Sequence, residues 1–378
     1  MSMSATVPAL RLVGKEAIDP AVGVSTRNLA LEDVWIGEPL PGEVLVEPLF
    51  AGVCGSDNSA CLGKPNFDWV QRPRTLGHEF SARILAFGPG AEGHAGLRVG
   101  DVVCALAMRG CRDSRCRGCR RGRWNYCRRK RIIGFHRDGA LAARAILEVD
   151  RCVPLRQGIT PLQAALIEPL SVVAQGVLRK CGIQPGMDVV VSGCGIMGLM
   201  AAELARAAGG RVAITGIERD RDLRLSLAEQ RGFLPIVVSE AAPLHERLAH
   251  GIEARDGTRF GDAFDDGLVD VLIECSGAPS SLATAGLAVQ PEGTICTIAT
   301  YPCDVAFGAT AFTRSGQSMQ GVMGSSHEDY DAAQLLLLRG VLPVSTYTQV
   351  YPFANAITAM ADSIAARTCK AVIQMQPT

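Results

Sequence analysis

The chain is short of net charge: 38 Lys+Arg balance 38 Asp+Glu over 378 residues. No global field therefore draws it toward nucleic acid or an anionic membrane, although local patches remain open. Long apolar runs are missing too. No stretch approaches about 18 uninterrupted apolar residues, which excludes an ordinary membrane-spanning helix. Met1 to Leu10 lacks a basic segment followed by a long apolar one, so no secretory signal is expected and a cytoplasmic location is the expectation. Self-similarity at solenoid periods is absent. With 48% hydrophobic and 20% charged residues, the composition also argues against disorder.

Cysteine, by contrast, is plentiful at 14 residues. In a chain of this size with no visible export signal, that points to metal ligation or buried thiols rather than a disulfide scaffold. The length suggests two domains. The N-terminal part reads as β-rich, with strands expected at Glu43–Leu49, Phe80–Phe87 and Val99–Ala105, the last two separated by the Gly/Pro-rich Gly88–Gly96. From Asp188 the pattern becomes strand, glycine turn, helix, with further strands expected at Val212–Ile217, Val269–Glu274 and Thr294–Ala299. Such alternation predicts an α/β doubly wound parallel sheet. A helix is expected at Ala356–Ala366, within a C-terminal return.

Gly193, Gly195 and Gly198 satisfy G-x-G-x-x-G directly after the apolar Asp188–Val191 and at the head of a helix. The first glycine permits a tight turn, the second lets the backbone approach a pyrophosphate, and the third allows close helix–strand packing. Ile196 and Met197, which open that helix, join the same cofactor-binding set. Glu218 lies about 20 residues past Gly198, where an acid grips a ribose 2′-hydroxyl and favours NAD over NADP. Arg219 beside it keeps NADP open.

Two further clusters suit a metal. Cys54 in GVCGSD, His78 and Glu79 in GHE, and Glu168 in IEPLSV are thiolate, imidazole and carboxylate groups that zinc accepts. Taken singly, each has an ordinary structural explanation. The second cluster is compact: Cys104, Cys111, Cys116, Cys119 and Cys127, set in an arginine-rich segment from Arg109 to Arg131.

Taken together, GVCGSD, GHE, the cysteine-rich lobe, EPLSV and the glycine fingerprint, in that order, resemble the zinc-dependent medium-chain dehydrogenase/reductase superfamily. The polyol, sugar and threonine dehydrogenases are the nearest branch. The resemblance implies a GroES-like β-rich catalytic domain over residues 1–170 and 308–378, enclosing a Rossmann domain over 171–307. It implies that Cys54 and His78 ligate a catalytic zinc, with Glu79 as a direct or exchanging ligand. Glu168 stands where alcohol dehydrogenases carry a second cysteine, and a glutamate there is similar to the polyol branch. Asp57 resembles the carboxylate that orients the zinc histidine. Cys116-x2-Cys119-x7-Cys127 matches the last three ligands of a structural zinc lobe. Asp113 occupies the place of the family's first cysteine, so either Asp113 or Cys111 completes the site, and C-x4-C spacing favours Cys111.

The activity implied is reversible oxidation of a secondary alcohol (a polyol, sugar, cyclitol or amino alcohol) with a nicotinamide cofactor, NAD favoured. By the same resemblance Ser56 takes the alcohol proton. Ser59 replaces a histidine that family members often use to forward that proton, and His136 is left without an assigned role. Phe67, Trp69, Phe135 and Arg314 are pocket candidates whose alternative is the core. A dimer or tetramer is implied, and no membrane partner. The competing reading is a nucleotide-sensing or nucleic-acid-binding protein on a dehydrogenase scaffold, using the basic lobe. Intact Cys54, Ser56, His78 and Glu79 argue against it.

Overall fold

The computed structural model describes residues 4–21, 23–24, 27–253, 256–261 and 267–376. The chain divides into two compact units, Met1–Ser171 with Gly324–Thr378, and Val172–Met323.

The first unit is built on a seven-stranded sheet. Its order runs Cys152–Pro154, Val102–Ala105, Glu79–Phe87, Glu43–Gly52, Lys370–Gln374, Thr348–Pro352, with Ala145–Glu148 also pairing with Glu43–Gly52. Alternation decides which face is buried: Val44, Val46, Ala82, Ile84 and Leu147 are fully buried, each large side chain contributing about 1.5–3 kcal/mol. The expected strand at Val99 begins only at Val102, because Gly100 and Asp101 form a turn whose amides bond to Ile84 O and Arg98 O. Gly52 lies opposite Glu79 on one side and opposite Val372 on the other. Those two pairings place the last strand of the C-terminal return beside the segment that leads into Cys54. The return's helix His327–Leu338 is anchored by the Tyr330 hydroxyl, which donates to Ala105 O (2.9 Å) and accepts from Ala107 N (3.2 Å).

The second unit holds a six-stranded parallel sheet in the order Leu234–Val237, Arg211–Gly216, Asp188–Ser192, Val269–Glu274, Val289–Thr297, Ser318–Gly321. Counted along the chain this is 3-2-1-4-5-6, the doubly wound dinucleotide-binding order. Its central strand, Asp188–Ser192, is buried throughout, as a strand covered by helices on both faces must be. The boundary expected at Phe307 falls too early. Helix Ala309–Ser315 leads into Ser318–Gly321, which pairs with Val289–Thr297, so the unit continues to Met323. No described helix is long and apolar enough to cross a membrane.

Candidate active site and metal centres

Cys54 leaves strand Glu43–Gly52 and precedes helix Gly55–Cys61. Asp57, fully buried in that helix's first turn, accepts from Cys54 N through Oδ2 (3.0 Å). Its Oδ1 faces His78 Nδ1 at 3.6 Å, too long for a hydrogen bond but close enough to hold the ring by charge. Both of those atoms are buried and lack a hydrogen-bond partner among the described residues. The ligand atoms of Cys54, His78 and Glu79 lie within 4.8 Å of one another. Thiolate, imidazole and carboxylate converging at that spacing fit zinc, and a carboxylate behind the imidazole is how zinc histidines are oriented. Burial opposes charging His78, yet Asp57 and Cys54 outweigh it and lift its pKa well above the ordinary value.

Glu168 does not join that trio. It opens helix Ile167–Lys180, almost completely buried, and stands outside the 4.8 Å cluster. Burial pushes its carboxyl up to about 7, with His78 pulling it down and Glu79 pushing it further up. It therefore lies within electrostatic reach of His78 and Glu79.

Lys370, which opens the last strand, belongs to none of the sequence motifs. It is 2% exposed, pairs with Glu79 Oε2 and donates to Val53 O at 2.8 Å. A buried lysine survives only with such partners. Burial lowers its pKa, but Glu79 and Cys54 more than compensate, so it stays charged. Its one signal in the sequence is a lysine at the head of the otherwise apolar run Ala371–Ile373.

Ser56 sits half-buried in helix Gly55–Cys61, two residues beyond Cys54, and Ser59 is on the same helix. Phe135 lies 5.4 Å from the His78 ring and packs with Phe67 and Trp69. The His136 ring packs against Trp69 at 4.6 Å, tilted by 39°, and its Nδ1 accepts from Ile132 N. Arg314 belongs to helix Ala309–Ser315 of the other unit.

The second cluster closes without Asp113. Cys111, Cys116, Cys119 and Cys127 bring their sulfurs within 4.8 Å of one another. Cys111 and Cys119 are 3.8 Å apart, as are Cys116 and Cys127. Asp113 is taken by Arg115 and Arg129, which hold its carboxyl well below the usual range. The backbone amide of Cys119, with the surrounding thiols, holds Cys116 down to about 7. Four converging sulfurs with no open position suit a structural zinc. Cys104 lies elsewhere, buried in strand Val102–Ala105 with its thiol toward Val153 O. Four of the ten arginines between Arg109 and Arg131 pair with acids among the described residues: Arg109 and Arg112 with Asp150, Arg109 also with Glu148, and Arg115 and Arg129 with Asp113.

In the second unit, Gly193 has φ +97°, and an added Cβ would lie 2.8 Å from the Ser276 backbone. A Cβ on Gly198 would fall 1.8 Å from Gly193 O, so that helix packs against the turn only through a bare Cα. Gly195 faces open space, where a phosphate's approach requires it. Ile196 and Met197 begin helix Ile196–Ala207. Beside the turn lies a cavity of about 700 Å³, lined among others by Gly193, Gly195, Ile217, Arg219, Ser276 and Ser281. Glu218 is not in its wall; Arg219 is.

Residues 40–157 match the alcohol dehydrogenase GroES-like domain and residues 197–338 the zinc-binding dehydrogenase domain. Sorbitol dehydrogenase of Halalkalibacterium halodurans is 33% identical over 270 residues, 68% of this chain and 73% of that one. The chain belongs to the zinc-binding alcohol dehydrogenase family. L-galactonate-5-dehydrogenase of Escherichia coli is 28% identical over 88% of this chain and 94% of its own length. Among solved structures, a zinc-binding dehydrogenase of Sinorhizobium meliloti bound to NADP superposes with a TM-score of 0.80 at 24% identity, covering 98% of this chain and 99% of that one. An E. coli short chain alcohol dehydrogenase in complex with NADH gives 0.81 at 21%, with the same coverage. At those identities the likeness is one of fold. Membership places the chain among oxidoreductases and leaves the binding-protein reading without support.

Proposed function

We propose that the protein oxidises a secondary alcohol, such as a polyol, sugar, cyclitol or amino alcohol, to the ketone with a nicotinamide dinucleotide. The observation that carries this reading is the convergence of the Cys54, His78 and Glu79 ligand atoms within 4.8 Å. The relatives named for sorbitol and L-galactonate support the substrate class. When bound, zinc supplies the Lewis acidity that makes the alcohol proton removable, and the nicotinamide takes up the hydride.

The chain's own residues do the rest. Cys54, His78 and Glu79 hold the metal, with Glu168 as a neighbouring carboxylate. Asp57 fixes the imidazole's orientation from behind. Lys370 pairs with one Glu79 oxygen and so fixes the carboxylate in place. Ser56, two residues along the helix from Cys54, relays the proton: its oxygen accepts it as its own hydroxyl hydrogen passes on to water. Cys111, Cys116, Cys119 and Cys127 hold a second, structural zinc.

The test is nicotinamide reduction across a panel of polyols, sugars, cyclitols and amino alcohols, repeated with Cys54→Ala. The variant should lose turnover while still binding dinucleotide. Undiminished turnover would overturn the reading.

A further inference from the structure

The acid that follows the second strand of a dinucleotide-binding sheet normally meets the ribose 2′-hydroxyl. Here that acid is turned away. Glu218 has a side chain 72% exposed, and both of its oxygens are held by Arg221, at 2.7 Å from Nε and 2.9 Å from Nη2. Arg221 opens a single π-helical turn, Arg221–Leu225, and reaches back three residues to grip Glu218. π-turns are rare and recur at functional sites.

The cavity wall carries a different set of charges. Arg219 and Arg224 line it, with Ser239 and His245. Its two acids are Asp220 and Glu240. Asp220 is spent: one oxygen accepts from Ile217 N (3.2 Å) and the other faces Arg224 (3.4 Å). Glu240 is exposed. Arg219 has no hydrogen bond or ion pair among the described residues, so its guanidinium is available.

We propose that this cavity selects the 2′-phosphorylated dinucleotide, NADP, with Arg219 as the residue that takes the phosphate. The inference rests on reading the glycine turn and its cavity as the dinucleotide site. A guanidinium offers a planar fork that meets phosphate oxygens in pairs, and a 2′-hydroxyl gives it nothing comparable to grip. Ser239 stands in the same wall as a further donor.

The experiment titrates the full-length protein with NADPH and NADH, reading energy transfer from tryptophan to the nicotinamide. 2′,5′-ADP and 5′-AMP serve as competitors that report the adenosine end alone. NADPH should bind at least tenfold more tightly than NADH, and 2′,5′-ADP should outcompete 5′-AMP by a similar factor. Arg219→Gln should weaken NADPH at least tenfold while NADH stays within twofold, and Glu218→Gln should leave both unchanged. Tighter binding of NADH, or loss of NADH binding in Glu218→Gln, would overturn the assignment while leaving the dehydrogenase reading intact. Failure to bind either dinucleotide would overturn both.

Discussion

Removing the Arg151 guanidinium tests how the cysteine-rich lobe is held. Arg151 is fully buried and donates to Leu106 O (3.3 Å) and Ala107 O (2.9 Å), just before the lobe, and to Arg131 O (3.2 Å), at its end. One side chain therefore clips both ends of the segment that carries the four clustered cysteines. Its Nε is 2.7 Å from Glu148 Oε2, which Arg137 also reaches at 2.7 Å. Burial raises the Glu148 carboxyl, but Arg151 and Arg137 outweigh it and bring it down to about 2 from 4.5. A net fall of that size corresponds to about 3 kcal/mol favouring the ionised carboxylate. Burial pulls Arg151 itself down to about 10, so it remains a cation at neutral pH. Arg151→Met removes the side-chain donor to three carbonyls, of which Ala107 O keeps Ile133 N (3.0 Å), and one partner of a buried carboxylate, for a loss of about 3–5 kcal/mol. For a unit of this size that is a fall of roughly 10 °C in Tm.

Thermal unfolding of the zinc-replete protein measures the loss, and a double-mutant cycle with Glu148→Gln isolates the energy of the pair, expected near ~2 kcal/mol. The pH dependence has a definite sign. Glu148 titrates lower in the folded chain than in the unfolded one, so its contribution is complete above its ordinary 4.5 and fades as pH falls toward 2. The gap between wild type and variant should narrow over that window to what the carbonyl hydrogen bonds contribute. A variant within about 1 kcal/mol of wild type at neutral pH, or a coupling near zero, would refute the reasoning.

Three other substitutions test the cysteine lobe and the glycine turn. Cys111→Ser should lower bound zinc from two to one per chain, as counted by elemental analysis, whereas Asp113→Ala should retain both, because its carboxylate serves Arg115 and Arg129. Gly198→Ala should abolish dinucleotide binding in a fluorescence titration, since the added carbon would sit 1.8 Å from Gly193 O; near-normal binding would show that the helix and turn can part at little cost.

The motifs are legible where chemistry constrains residue type at fixed spacing. Cys54, His78 and Glu79 are drawn together by two strands paired through Gly52 and Glu79, and their identities already restrict the ligand. The choice between Cys111 and Asp113 is also readable, because spacing along a short loop limits which sulfur can return. Lys370 is not, since its partner lies 291 residues away in the sequence and only strand pairing brings them together. The end of the second unit escapes a boundary placed near residue 307 because Ser318–Gly321 is too short to show periodicity. Glu218 reads as pointing inward because a pattern names a residue and leaves its rotamer open, and the rotamer here is set by Arg221.

The strand Lys370–Gln374 has a consequence for how the protein is made. It pairs with Glu43–Gly52 and supplies the charge that pins Glu79, yet it is translated long after both. Roughly 300 residues separate it from its partner strand, about 15–60 s of synthesis at ordinary elongation rates. For that interval the emerging chain carries an open strand edge, a surface apt to pair with the wrong partner. The metal trio is also incomplete in its surroundings, with Glu79 buried beside no cation. Removing Lys370–Gln374 would leave every metal-binding motif in place and the site still unfinished, so completion of this centre depends on a strand that carries none of those motifs.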